Sequence, residues 1–382
     1  MLGRSVHRRA ITGCAVLLSG LLIAIMLCSL TVNAEDDATK IGPDQDALAQ
    51  TVAKGIKYLT DVGQEPDGSF SKFAGTGPTS LAVTGLLRNG APPTSPAVKK
   101  GLEYLKASAQ QDGGIYGQKA FTKNYETCAA VMCFEAANQQ GEYNGLLKKA
   151  EQFLRGMQTV EDSSDFRFGG AGYGGESRPD LSNTAFLIDA LKSTGAGADD
   201  EAIQQALAFV SRCQNLDSEH NTTPFAGKVN DGGFYYTPIL EKPDEEKETA
   251  NGGLRSYGTM SYSGLKSLIY AGLEKDDPRV KAVQEWISKN YSVESNPGMG
   301  NAGLYYYYAT FAKAMDVAGQ DFIVDDKGVK HDWRKELAEE LAKRQKPDGS
   351  WINSNEKWLE GDANLVTAYA LLSLSYCRVD NK

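Results

Sequence analysis

Three carboxylates stand at the entrance to apolar runs: Glu126 before TCAAVMCF, Asp180 before TAFLIDAL and Asp362 before TAYALLSL. An acid at a helix start can stabilise the helix dipole by about 0.3–1 kcal/mol. It can also hold a substrate or cation together with neighbouring acids, or serve as a general acid once burial raises its pKa. These uses remain open together, which makes Glu126, Asp180 and Asp362 the catalytic candidates. Tyr125, Tyr257 and Arg255 lie near the same helix starts and are candidate substrate ligands. Tyrosine is frequent elsewhere too, at Tyr235, Tyr236, Tyr262 and in the run Tyr305 to Tyr308. Consecutive positions point all around a helix, so some of that run faces inward. Tyr262, Tyr305 and Tyr308 join the candidates for an aromatic wall, suited to a cation or a sugar ring.

The elements that must position these groups recur along the chain. KGIKYL at Lys54, KGLEYL at Lys100, KAEQFL at Lys149, QALAFV at Gln205 and AVQEWI at Ala282 each place an aromatic at one fixed position. Apolar partners repeat at helical spacing, as in Val98, Leu102 and Leu105, which predicts amphipathic helices with one buried stripe. A sixth copy near Leu341 has Glu340 where the aromatic should be. A glutamine follows most copies (Gln64, Gln110, Gln158, Gln214, Gln345). Next comes a glycine turn such as PDGSF at Pro66 or NDGGFYY at Asn230. A second helix follows each turn, starting near Thr79, Thr127, Thr184, Thr259, Tyr308 and Thr367. These second helices are apolar nearly all round and must be buried on both sides. Six hairpins with no polar end caps predict closure into a ring, an all-α (α/α)6 toroid, rather than an open solenoid.

The bulk numbers agree with a large ordered core: 382 residues, 41% hydrophobic and 9% aromatic. A formal net charge of -9 argues against nucleic acid as a partner. Arg4, Arg8 and Arg9 precede an apolar run from Ala15 to Leu30, and Val32 and Ala34 fit signal-peptidase cleavage after Ala34. Residues 1–34 therefore read as a signal peptide or an N-terminal anchor, 35–50 as a loop-rich leader and 51–378 as one toroid domain. The protein is expected to be exported, and any membrane contact would come through the anchor. Beyond the leader stand Cys128, Cys133, Cys213 and Cys377, whose scatter fits core packing better than a disulfide framework, with one bridge left open.

The pattern K-G-x-x-Y-L, glutamine, then D-G-S-F or D-G-G-x-Y resembles the QW-type repeat of the prenyltransferase and squalene-hopene cyclase superfamily. The resemblance runs from about Thr51 to Tyr376. It implies a cavity between the inner helices and an apolar isoprenoid or lipid as ligand. The cyclases of this superfamily protonate an alkene from D-x-D-D-T-A at the start of an inner helix. Here Asp180-Leu181-Ser182-Asn183-Thr184-Ala185 keeps the first acid and the Thr-Ala pair, and it puts Ser182 and Asn183 where two acids would stand. A serine cannot supply that proton near neutral pH. The protein prenyltransferases hold zinc through Asp, Cys and His. The corresponding positions are Tyr257, Thr259 and Val366, so the resemblance implies no metal and no cofactor. Two other classes compete with a cyclase-like binder of lipid: a non-catalytic toroid for a protein or peptide, and a secreted (α/α)6 carbohydrate lyase or hydrolase using paired carboxylates or a tyrosine base.

Overall fold

The computed structural model describes residues 41–118, 120–174, 177–240 and 248–379. The predicted signal or anchor lies outside them, as does the acidic run at 241–247. Among the described residues twelve helices follow one another: α1 (Gln45–Tyr58), α2 (Gly77–Arg88), α3 (Pro96–Ala107), α4 (Lys123–Ala137), α5 (Asn144–Arg155) and α6 (Leu181–Ser193), then α7 (Glu201–Arg212), α8 (Gly258–Tyr270), α9 (Pro278–Asn290), α10 (Leu304–Val317), α11 (Trp333–Arg344) and α12 (Ala363–Tyr376). A two-residue antiparallel pair, Ile323–Val324 with Lys330–His331, sits between α10 and α11. No helix among the described residues is long and apolar enough to cross a membrane.

Even-numbered helices form the inner ring, each packed on the next, and α12 packs on α2 to close it. The odd-numbered helices lie outside. Their patterns explain the division. In α3 only a stripe is buried, with Val98, Leu102 and Leu105 inward, whereas every residue of α8 from Gly258 to Leu268 is buried. A helix with one apolar stripe can cover a core, but only one apolar all round can stand within it.

The repeated glutamines join neighbouring hairpins. Gln64 Nε2 donates to the Gly68 and Ala97 carbonyls, Gln158 Nε2 to those of Gly169 and Ala202, and Gln214 Nε2 to those of Gly232 and Arg279. Gln345 Nε2 donates to Gly349 and Thr51, which ties α11 to α1 across the ring closure. Gln110 departs from the pattern and bonds within its own turn, to Ser108 and Tyr116. The turn glycines are required by space as well as by backbone angle. Gly349 has φ +90, and a Cβ there would stand 2.3 Å from the Lys54 carbonyl oxygen in α1.

Threonines hold the turns to the inner helices. The hydroxyls of Thr79, Thr127, Thr184 and Thr367 accept from the backbone N–H of Phe70, Ile115, Ala171 and Trp351. In α8 that duty falls to Ser261, which accepts from Phe234, and not to the expected Thr259.

Several boundaries differ from expectation because side-chain caps, not the first apolar residue, start the helices. Asp44 caps α1, so that helix begins inside the stretch expected to be leader. Asp180 caps α6, which starts at Leu181 rather than near Thr184. Glu340 occupies its outer helix without the aromatic, nearly buried and bonded to Arg344 and Lys343. The four cysteines among the described residues, Cys128, Cys133, Cys213 and Cys377, are free and buried.

Candidate functional site

The starts of the inner helices surround a chamber of about 1470 Å³. Its floor is aromatic. Tyr125 from α4, Phe186 from α6, Tyr306 from α10 and Tyr369 from α12 meet near the ring axis, with Tyr125 edge-on to Phe186 at 5.0 Å and Phe186 stacked on Tyr306 at 6.1 Å. Tyr306 lies 5.8 Å from Tyr369, and the Tyr125 and Tyr369 hydroxyls are 3.4 Å apart. Tyr257 adds a further wall. Burial pushes the phenols of Tyr125, Tyr257, Tyr306 and Tyr369 up, Tyr125 to about 12. They stay protonated and offer hydrogen bonds and ring faces rather than a base.

The rim is unusually apolar for a surface. Phe121 is 82% exposed, Phe73 75% and Trp358 58%, and Leu359 stands beside Trp358. All four line the mouth. Trp358 and Leu359 hold positive φ of 57 and 66, a costly backbone for residues with a Cβ. Basic groups share the mouth: Lys72, Arg178, Arg255 and Lys357 belong to the lining, against one acid among the described residues, Glu126.

The three candidate acids come to different fates. Glu126 lines the chamber, yet both its oxygens are engaged. Oε2 accepts from Thr76 N at 2.8 Å, Thr76 Oγ1 at 2.9 Å and Gly117 N at 3.1 Å, and Oε1 accepts from Thr122 Oγ1 at 2.5 Å. The carboxylate pins two loops to α4. Asp180 caps α6 outside the lining. Its oxygens accept from Asn183 N and Asn183 Nδ2, each at 2.8 Å, and the Tyr236 hydroxyl also bonds it. Burial raises its carboxyl to about 6, against the pull of those hydrogen bonds. Asp362 caps α12, also outside the lining, accepting from Leu365 N and from Ser71 Oγ. The acids share no partner and form no paired site.

Of the candidate ligands, Tyr125, Tyr257 and Arg255 reach the chamber, Arg255 at its exposed edge beside Met299. Tyr262 does not; it packs against Phe311 and Tyr307 in the core. In the four-tyrosine run the expected Tyr305 and Tyr308 turn away from the chamber, and the Tyr308 hydroxyl donates to the Val293 carbonyl. Tyr306 faces the chamber instead, its hydroxyl 2.7 Å from Ser182 Oγ. The signal that could have chosen Tyr306 is Lys313 and Asp316, seven and ten residues on along the same face of α10. Phe186, Tyr369 and the rim residues also went unrecognised.

Residues 79–238 match the squalene-hopene cyclase C-terminal domain family. Over 87% of this chain and 98% of the other, the fold is similar to the type II terpene cyclase MstE from Scytonema, with a TM-score of 0.52 and 13% identity. The chain has the terpenoid cyclase-like fold. Protein geranylgeranyltransferase-I from Candida albicans, complexed with GGPP, is similar over 85% of this chain and 90% of its own (TM-score 0.51, 13% identity). A possible GH105 family member from Salmonella enterica shares the ring to the same degree, over 87% and 94% of the two chains (TM-score 0.51, 12% identity). No curated protein matches the chain in sequence.

In this terpenoid cyclase-like ring, Ser182 and Asn183 face the chamber where the resemblance would put acids. The zinc positions hold Tyr257, Thr259 and buried Val366, which do not fit a metal of the prenyltransferase kind. No group of three or more His, Cys, Asp or Glu side chains among the described residues could hold a metal ion.

Proposed function

We propose that this terpenoid cyclase-like protein binds an apolar isoprenoid or lipid in the upper chamber and does not start cyclisation by protonation from an inner-helix acid. The observation that carries this reading is the lining: aromatic rings below, exposed apolar side chains at the mouth, and, among the described residues, a single acid whose oxygens are both committed. An apolar ligand gains about 25 cal/mol for each Å² of apolar surface removed from water. The basic rim and the helix N-termini favour an anionic or polar head at the opening. The complex of the geranylgeranyltransferase with GGPP supports an isoprenoid in such a ring.

A carbohydrate hydrolase would need two carboxylates about 5–10 Å apart at the cleaved bond, and a lyase would need a base. The described lining offers neither, since its phenols are pushed up rather than down. Export belongs to the same reading, because an exported carrier needs no diphosphate metabolism. The test is to extract the purified protein and identify bound lipids by mass spectrometry, then to incubate it with squalene. A stoichiometric polyprenoid without turnover agrees with the proposal. Cyclised product, or a bound glycan in place of lipid, contradicts it.

A further inference from the structure

Below the aromatic floor the ring opens again. The C-terminal halves of the inner helices enclose a second chamber of about 480 Å³, roofed by Phe186, Tyr306 and Tyr369. Its lining carries seven charged residues, Arg88, Glu135, Asp189, Lys192, Lys266, Lys313 and Asp316, and three of them from neighbouring inner helices come together: Asp189 in FLIDAL, Lys266 in SGLKSL and Lys313 in TFAKAM. Lys266 Nζ donates to Asp189 Oδ2 at 2.5 Å, and Lys313 Nζ lies 3.0 Å from the same oxygen. Lys266 is 3% exposed and Asp189 7%. Two ammonium groups thus share one carboxylate, and over the whole lining four cations (Arg88, Lys192, Lys266, Lys313) stand against three acids (Glu135, Asp189, Asp316), a surplus of one positive charge in a place where an uncompensated charge is costly. Asp189 Oδ1 and Ser263 Oγ, both buried and both on the lining, have no hydrogen-bond partner. Burial pulls Lys266 down to about 8 although Asp189 pulls the other way. Asp189 is pushed up by burial but held low overall by the two lysines.

The unmet demands define a ligand. It must carry negative charge for Lys266 and Lys313, a hydroxyl that donates to Asp189 Oδ1, and a compact apolar body for the aromatic roof. We propose that the lower chamber is a binding site for a small hydroxy carboxylate with an apolar body, gripped by Lys266, Lys313, Asp189 and Ser263. No carboxylate near the upper chamber is left with such a demand, so the two sites take different chemistry and this proposal does not depend on the lipid reading.

Mandelate, phenylacetate and mandelamide separate the contributions, because the second lacks the hydroxyl and the third lacks the charge. Calorimetric titration of the full chain should give mandelate about tenfold tighter binding than phenylacetate, the worth of one hydrogen bond to a charged group. Mandelamide should be weaker than both. Lys266→Met should erase the preference for mandelate over mandelamide. That variant leaves one ammonium for one carboxylate, and Lys313→Met repeats the test from the more exposed partner if it fails to fold. Equal affinity for the three probes, absence of binding at millimolar mandelate, or a preference untouched by both variants would overturn the proposal.

Discussion

The two chambers share one ring and one aromatic partition, yet they treat charge in opposite ways. At the helix starts every acid is spent on backbone. Glu126 holds two loops, Asp180 and Asp362 cap their helices, and Glu360 accepts from Tyr306 N at the start of α10. At the helix ends four cations and three acids line the lower chamber, and Asp189, held by Lys266 and Lys313, keeps one oxygen unused. Proximity to a cavity therefore does not identify a reactive acid. What distinguishes a structural carboxylate from an available one is whether its lone pairs are already taken.

The largest effect expected from this contrast is at Glu126. Glu126→Ala leaves two backbone N–H groups and two hydroxyls without their acceptor, and urea unfolding should show a loss of about 3–5 kcal/mol. A loss below about 1 kcal/mol would mean that the carboxylate is not a staple and could be free for chemistry. Next comes Asp180. Its folded pKa of about 6 lies above the ordinary 3.8, so the folded state holds the proton more tightly than the unfolded chain. The stability gained from that proton is complete below about pH 4 and lost as the pH rises through 6, by up to about 3 kcal/mol. Asp180→Asn should remove this component, so its stability relative to the unsubstituted protein should improve between pH 4 and pH 7. A difference independent of pH would contradict burial as the cause. The smallest effect belongs to the partition: Tyr306→Phe loses the bond to Ser182 but keeps the ring, for about 1 kcal/mol in thermal unfolding. A larger loss would make the hydroxyl, rather than the stacked rings, the element that separates the chambers.

The ring was legible in the sequence because its signals repeat. Glutamine, glycine turn and threonine recur at matching places, and each proves to make the same kind of contact in most hairpins. The site was less legible. Asp180 as a helix acid was among the open readings, but its burial behind Asn183 and Tyr236 depends on the loop carrying Tyr236, far away in sequence. Tyr306 was legible only through Lys313 and Asp316, the charged residues further along the same face of α10. Trp358 owes its exposure to a left-handed backbone that no local pattern announced. Lys266, Asp189 and Lys313 did leave a trace: a charge in the middle of a helix that must be buried is a cost, and such a cost asks for a partner.

The most direct test of an apolar ligand in the upper chamber is the emission of Trp358. The other tryptophans, Trp286, Trp333 and Trp351, are buried, so a change at the mouth is read almost entirely from this one ring. Titration with farnesol should shift the emission to shorter wavelength and saturate, and Trp358→Phe should abolish the shift. Emission unchanged up to the solubility limit of farnesol, or a shift that survives in Trp358→Phe, would contradict an apolar ligand entering through this mouth.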